Sequence, residues 1–94
     1  MKNKEKEVST QEMYAVVEVC NREIQGVSLK YDLKSAIKEA NILLKTYMAS
    51  GGYEKTFDSG AEEGDKWEKA SIESHNSWCN LGDNQWDTFI STIN

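Results

Sequence analysis

Between Asp32 and Gly51 the residues Leu33, Ala36, Ile37, Ala40, Leu43, Leu44, Tyr47 and Met48 recur at helical spacing, with Lys34, Lys38, Glu39 and Lys45 mostly on the opposite side. An apolar stripe of this length has to be laid on something, so the rest of the chain must supply a surface that accepts it. Asp32 is suited to cap the first turn and Gly51 or Gly52 to end the last one. The spacing predicts an amphipathic helix over about Leu33 to Ala49.

The surface is expected from the residues just before it. Met13 to Cys20 (MYAVVEVC) is rich in β-branched and aromatic residues, with Tyr14, Val16 and Glu18 alternating against Ala15, Val17 and Val19. That period-two pattern reads as a strand buried on at least one face. Asn21, Arg22 and Glu23 have turn character, and Ile24 to Tyr31 resume an extended pattern with Val27, Leu29 and Tyr31 on one side. The economical arrangement is a hairpin under the helix, with Gly26 marking a bulge or a shifted turn.

After the helix the chain changes character. The segment from Gly52 to Lys66 carries five acidic residues against two lysines, and Gly51, Gly52, Gly60 and Gly64 punctuate it, so an exposed loop is expected. Trp67 to Ser74 alternates again and reads as a third, half-buried strand, and Trp78 to Leu81 as a short fourth. In the last stretch Trp86, Phe89, Ile90 and Ile93 match helical spacing and Asn84 with Asp87 resembles a capping box. Thr88, Phe89, Ile90 and Thr92 equally suit a strand, and a short C-terminal helix is the preferred reading. The expected fold is therefore α+β, an antiparallel sheet of three or four strands carrying one main helix, in the order ββαβ(β)α. Residues 1–11 are expected to be a solvated tail and 12–94 a single domain, as befits 94 residues.

Composition narrows the function classes. The net charge is −5, and it is unevenly distributed: eight Lys or Arg face seven Asp or Glu up to Ala49, against three and nine from Ser50 onward. An acidic chain without a basic patch is a poor binder of a phosphate backbone, and a basic protein partner suits it better. No stretch is long and apolar enough for a membrane span or an export signal, so the cytoplasm is the expected compartment. Cys20 and Cys79 are then expected as free thiols. A chain this short buries a thin core, which leaves self-association open as a source of further buried area.

No constellation for catalysis stands out. His75, Cys79, Asp83 and Asp87 fall at intervals of four, but Gly82 interrupts them and one straight segment cannot wrap around an ion, so no metal or other cofactor is expected. The single histidine has no preferred nucleophile, and Asp58, Glu62, Glu63 and Asp65 do not follow a calcium-loop spacing. The three tryptophans and four tyrosines are more distinctive in so short a chain. Large aromatics mostly form core, and any that remain exposed anchor partners.

The string Trp78-Cys79-Asn80, a polar turn, then Trp86-Asp87-x-Phe89-Ile90 resembles the ends of small uncharacterised proteins encoded by phages and prophages of low-GC bacteria. That resemblance implies a small acidic protein that binds and blocks a host protein, such as a component of antiviral defence. The expected function is thus non-enzymatic protein binding, with Glu62, Glu63 and Asp65 of the acidic loop and Trp67 or Trp78 as the partner-binding residues. The alternatives are an oligomer that sequesters a small ligand such as a nucleotide, and a structural or assembly component.

Overall fold

The computed structural model describes residues 12–93. The expected N-terminal tail, residues 1–11, lies outside the described residues. Strands β1 (Met13–Cys20) and β2 (Glu23–Lys30) form a hairpin, followed by helix α1 (Leu33–Ser50) and the short helix α2 (Glu54–Ser59). The chain then adds β3 (Trp67–Glu68), β4 (Asn76–Leu81) and β5 (Asn84–Ile93). All neighbours pair antiparallel in one five-stranded sheet of order β2-β1-β5-β4-β3. The fold is α+β, as the sequence implies, with five strands where three or four are expected and with the second, short helix directly after α1 instead of at the C-terminal end.

Two tight turns set the registers. Asn21 and Arg22 both have positive φ, 51° and 73°, which is the twist-matched geometry for a two-residue hairpin loop. Between β4 and β5, Gly82 takes φ 64° at the first position of a second two-residue loop. Asn21 also donates through Nδ2 to Asn84 Oδ1 at 3.0 Å and accepts from Gln85 N at 2.9 Å, tying the two turns together. The expected irregularity near Gly26 is present: the β1–β2 register shifts between Glu18 and Val19, leaving Gln25 as the extra residue.

Helix α1 begins where its cap predicts. Asp32 Oδ1 accepts from Ser35 N at 2.7 Å, and this bond holds the Asp32 carboxyl below its ordinary range. Ala36, Ala40, Leu44 and Met48, four residues apart, are its fully buried row. The two alanines let that end of the helix lie close on Val16 and Ile90, while Leu44 and Met48 meet Trp67, Cys79 and Trp86. Polar ties fix the same contact. Ser77 Oγ donates to Ala40 O at 3.1 Å. Asn41 grips the segment after β3 from both sides, its Nδ2 donating to Ala70 O at 3.1 Å and its Oδ1 accepting from Ala70 N at 2.7 Å.

Three expectations are corrected. The segment Gly52 to Lys66 is not all loop, because Glu54–Ser59 is helical, with Phe57 stacked on Trp67 at 5.2 Å between ring centroids. The third strand is cut to Trp67–Glu68, since the Asn41 clamp takes the Ala70 backbone groups that a longer strand would offer to a neighbour. The C-terminal stretch is a ten-residue strand and not a helix. It is held on both sides, by β1 and by β4, and these ladders outweigh a helical period that has no partner stripe to face.

Two substitutions test this core. Asn41→Ala strands both Ala70 backbone groups and is expected to cost about 2–4 kcal/mol in urea unfolding. Thr88 is fully buried and its hydroxyl has no partner among the described residues. Thr88→Val removes that orphan at nearly constant volume and is expected to raise stability by about 1 kcal/mol in the same experiment.

Candidate binding surface

Helix α1 covers only one face of the sheet. On that side lie Tyr14, Val16, Trp67, Cys79, Trp86 and Ile90, the members of the core. The period-two alternation sends the intervening residues to the other side, which no element covers among the described residues.

The register lays out this open face row by row. Ile24 pairs with Val19 and Val19 with Asp87, which in turn faces Trp78. Val27, Val17, Phe89 and Asn76 form the next row, and Leu29, Ala15 and Ser91 the one beyond, followed by Met13 with Ile93. Ile24 is 69% exposed, Val27 57%, Leu29 53%, Phe89 45% and Ile93 41%. An antiparallel sheet with one solvated face ordinarily puts polar residues there. Strand β2 does the reverse: Val27 and Leu29 point out, while Ser28 and Lys30 lie half-buried on the helix side, where Lys30 pairs with Glu39 at 3.7 Å.

The expected partner-binding residues are divided by the structure. Trp67 is 0% exposed, its indole donating to Ala61 O at 2.9 Å, so it belongs to the core and cannot serve as a surface anchor. Trp78 lies half-buried on the open face and donates through Nε1 to Glu68 Oε1 at 3.1 Å. Glu62, Glu63 and Asp65 are all exposed in the turn that leads into β3. That turn is well tied: Gly64 N donates to Trp67 O at 2.7 Å, Asn80 N to Lys66 O at 2.7 Å, and Glu62 pairs with Lys66 at 3.0 Å. The structure therefore sets an acidic turn and one tryptophan at the β3–β4 end of the sheet, and an apolar expanse at the β2–β1–β5 end. That expanse was missed at the level of sequence, although the pattern of Val27 and Leu29 against Ser28 and Lys30 carries the signal.

The remaining chemistry is sparse. Among the described residues no group of His, Cys, Asp and Glu is placed to hold a metal ion. A cleft of about 380 Å³ beside the end of α1 is lined by Tyr47, Tyr53, Leu81 and Asn84, among others, and has no charged side chain. One of about 520 Å³ lies between Leu33, Ile37 and Ile72. A third, of about 360 Å³, gathers Lys38, Lys45 and Lys69 around Phe57, with the Lys69 ammonium 4.9 Å from the ring centroid. None of these clefts contains His75 or a cysteine. No helix of the described residues is long and apolar enough to cross a membrane.

Both cysteines are free, as expected. Burial pushes the Cys79 thiol from its ordinary 9.0 up to about 12, with the Asp87 carboxylate adding to the rise. Burial, with the bond from Cys20 Sγ at 3.7 Å, likewise lifts Tyr47 to about 12. The unfolded chain releases these protons first while the folded chain keeps them, so stability falls as pH rises from 9.0 towards 12. Urea midpoints should drop steadily across that window, and the drop should shrink in Cys79→Ala. A thiol reagent at neutral pH should label Cys20, which is half-buried, well before Cys79.

No protein-family model matches the chain, and no curated protein or solved structure matches it either.

Proposed function

We propose that this chain is a non-catalytic binding protein that acts through contact with another polypeptide. The observation that carries the reading is the uncovered sheet face, on which Ile24, Val27, Leu29, Phe89 and Ile93 are each more than 40% exposed and lie on adjoining strands. The acidic turn of Glu62, Glu63 and Asp65, next to Trp78, suits a partner with a basic surface, since complementary charge speeds encounter and fixes register. A phage-encoded inhibitor of a host defence protein is the finer form of this proposal. It draws on the likeness of the Ser77–Ile90 string to phage proteins and on an acidic end able to occupy a basic nucleic-acid channel.

The test is capture of a partner from a bacterial lysate. One host protein should be retained at low salt and lost as ionic strength rises. Glu62→Gln, Glu63→Gln and Asp65→Asn together should weaken the complex by about 10- to 100-fold, and Trp78→Ala by a similar factor. Recovery of no host protein at any ionic strength would count against the reading. A second reading, capture of an anionic small ligand, is favoured only by the Lys38, Lys45 and Lys69 cleft with Phe57 as a stacking surface. Lys45 already pairs there with Asp58 at 3.3 Å. A nucleotide screen by thermal shift decides it, with no stabilising hit expected.

A further inference from the structure

We infer that the β2–β1–β5 part of the open face is covered by a second copy of this chain, in a two-fold dimer that packs sheet on sheet. The inference rests on the reading of that face as a protein-binding surface and names its occupant.

The first argument is charge. The chain carries −5 overall, yet across the rows formed by β2, β1 and β5 the open face holds one ionisable side chain, Asp87. Two copies of an acidic protein repel each other least where neither presents charge. The acidic turn of Glu62, Glu63 and Asp65 lies at the opposite edge of the sheet, beside β3. A partner recognised by charge is drawn to that edge, and a second copy to the neutral one.

The second argument is shape. A two-fold interface must be complementary to itself. Ala15 and Ser91, paired in register, place the smallest side chains of the face in one row, with Leu29 beside them. The adjacent row carries Phe89, the largest side chain of the β5 segment of this face and 45% exposed. A low row next to a raised aromatic lets each copy seat its Phe89 over the Ala15–Ser91 row of the other, as facing sheets interdigitate at a spacing of about 10 Å.

The third argument is area. The three strands, about 4.8 Å apart and with eight or more residues each at about 3.3 Å per residue, give this part of the face a footprint of about 400 Å² in projection, before the relief of its side chains is added. Its accessible surface is of the order of the 800 Å² that each partner contributes to a standard interface. The chain's own undescribed N-terminal segment is a poor occupant, because residues 1–11 include only Met1 and Val8 as apolar side chains.

The experiment is sedimentation of the full chain with and without Val27→Asp and Leu29→Asp. Both residues are more than half exposed on an edge strand, so the doubly substituted chain should fold, as checked by its far-ultraviolet dichroism and melting. The natural chain should sediment at twice its 10.7 kDa at micromolar concentration. The double variant should be monomeric, its dissociation constant raised at least about 100-fold. If the variant fails to fold, Phe89→Ala, also on the open face, provides the same comparison. Neutralising Glu62, Glu63 and Asp65 should leave the mass unchanged. A natural chain that stays monomeric up to about 0.1 mM, a mass above two copies, or a dimer untouched by the face substitutions would overturn the inference. A monomer that still captures a host protein overturns the dimer and leaves the proposed function standing, whereas a dimer that captures nothing does the opposite.

Discussion

Eight register pairs between β1 and β5, from Met13 with Ile93 to Cys20 with Trp86, hold the two ends of the described chain side by side in the middle of the sheet, and every other element is attached to that seam. The hairpin partner of β1 extends the sheet on one side and the hairpin partner of β5 on the other. The same pairing brings Trp86 under α1, where it stacks on Tyr47 at 5.4 Å and donates to Glu18 Oε2 at 2.9 Å. It also fixes Phe89 on the open face. A contact between residues so far apart in sequence carries a loop-closure cost, which the helix lying across β1, β4 and β5 helps to offset by burying Ala36, Ala40, Leu44 and Met48.

Parity in the first hairpin decides which surface of the protein is sticky. With Asn21 and Arg22 as a two-residue turn and Gln25 as a bulge, Val27 and Leu29 face away from the helix and Ser28 and Lys30 towards it. One residue more or less in that turn would exchange the two sets. A strand that turns its apolar side chains to solvent and its lysine to the helix is a costly arrangement for a solitary domain. It becomes favourable once something covers the outer face.

Acidity and apolar surface are thus separated in space. Apart from Asp83 in the β4–β5 turn and Asp87 on β5, the carboxylates after Ser50 gather around α2, the turn before β3 and the β3–β4 end, while the outer faces of β1 and β2 stay uncharged between their ends. The candidate surface was half legible in the sequence. Glu62, Glu63 and Asp65 could be recognised as exposed because a run of charge and glycine has no way to be buried. Trp67 and Trp78 could not be told apart, since both begin or border short strands. The packing of Leu44, Met48 and Phe57, with the bond to the Ala61 carbonyl, withdraws Trp67 from solvent, while Trp78 falls on the side without a helix.

Local pattern alone determined the β1–β2 hairpin with its irregularity near Gly26 and the helix from Leu33 with its Asp32 cap and its stop at Gly51, because each depends on residues within a few positions of one another. Tertiary structure decided the rest. Trp86, Phe89, Ile90 and Ile93 satisfy a helical period and a strand equally well, and the choice fell to the strand because β1 and β4 offered ladders on both sides. Likewise the sequence showed that Val27 and Leu29 share a face, but which face became the core depended on where α1 lay, and that is set by contacts between segments far apart in the chain.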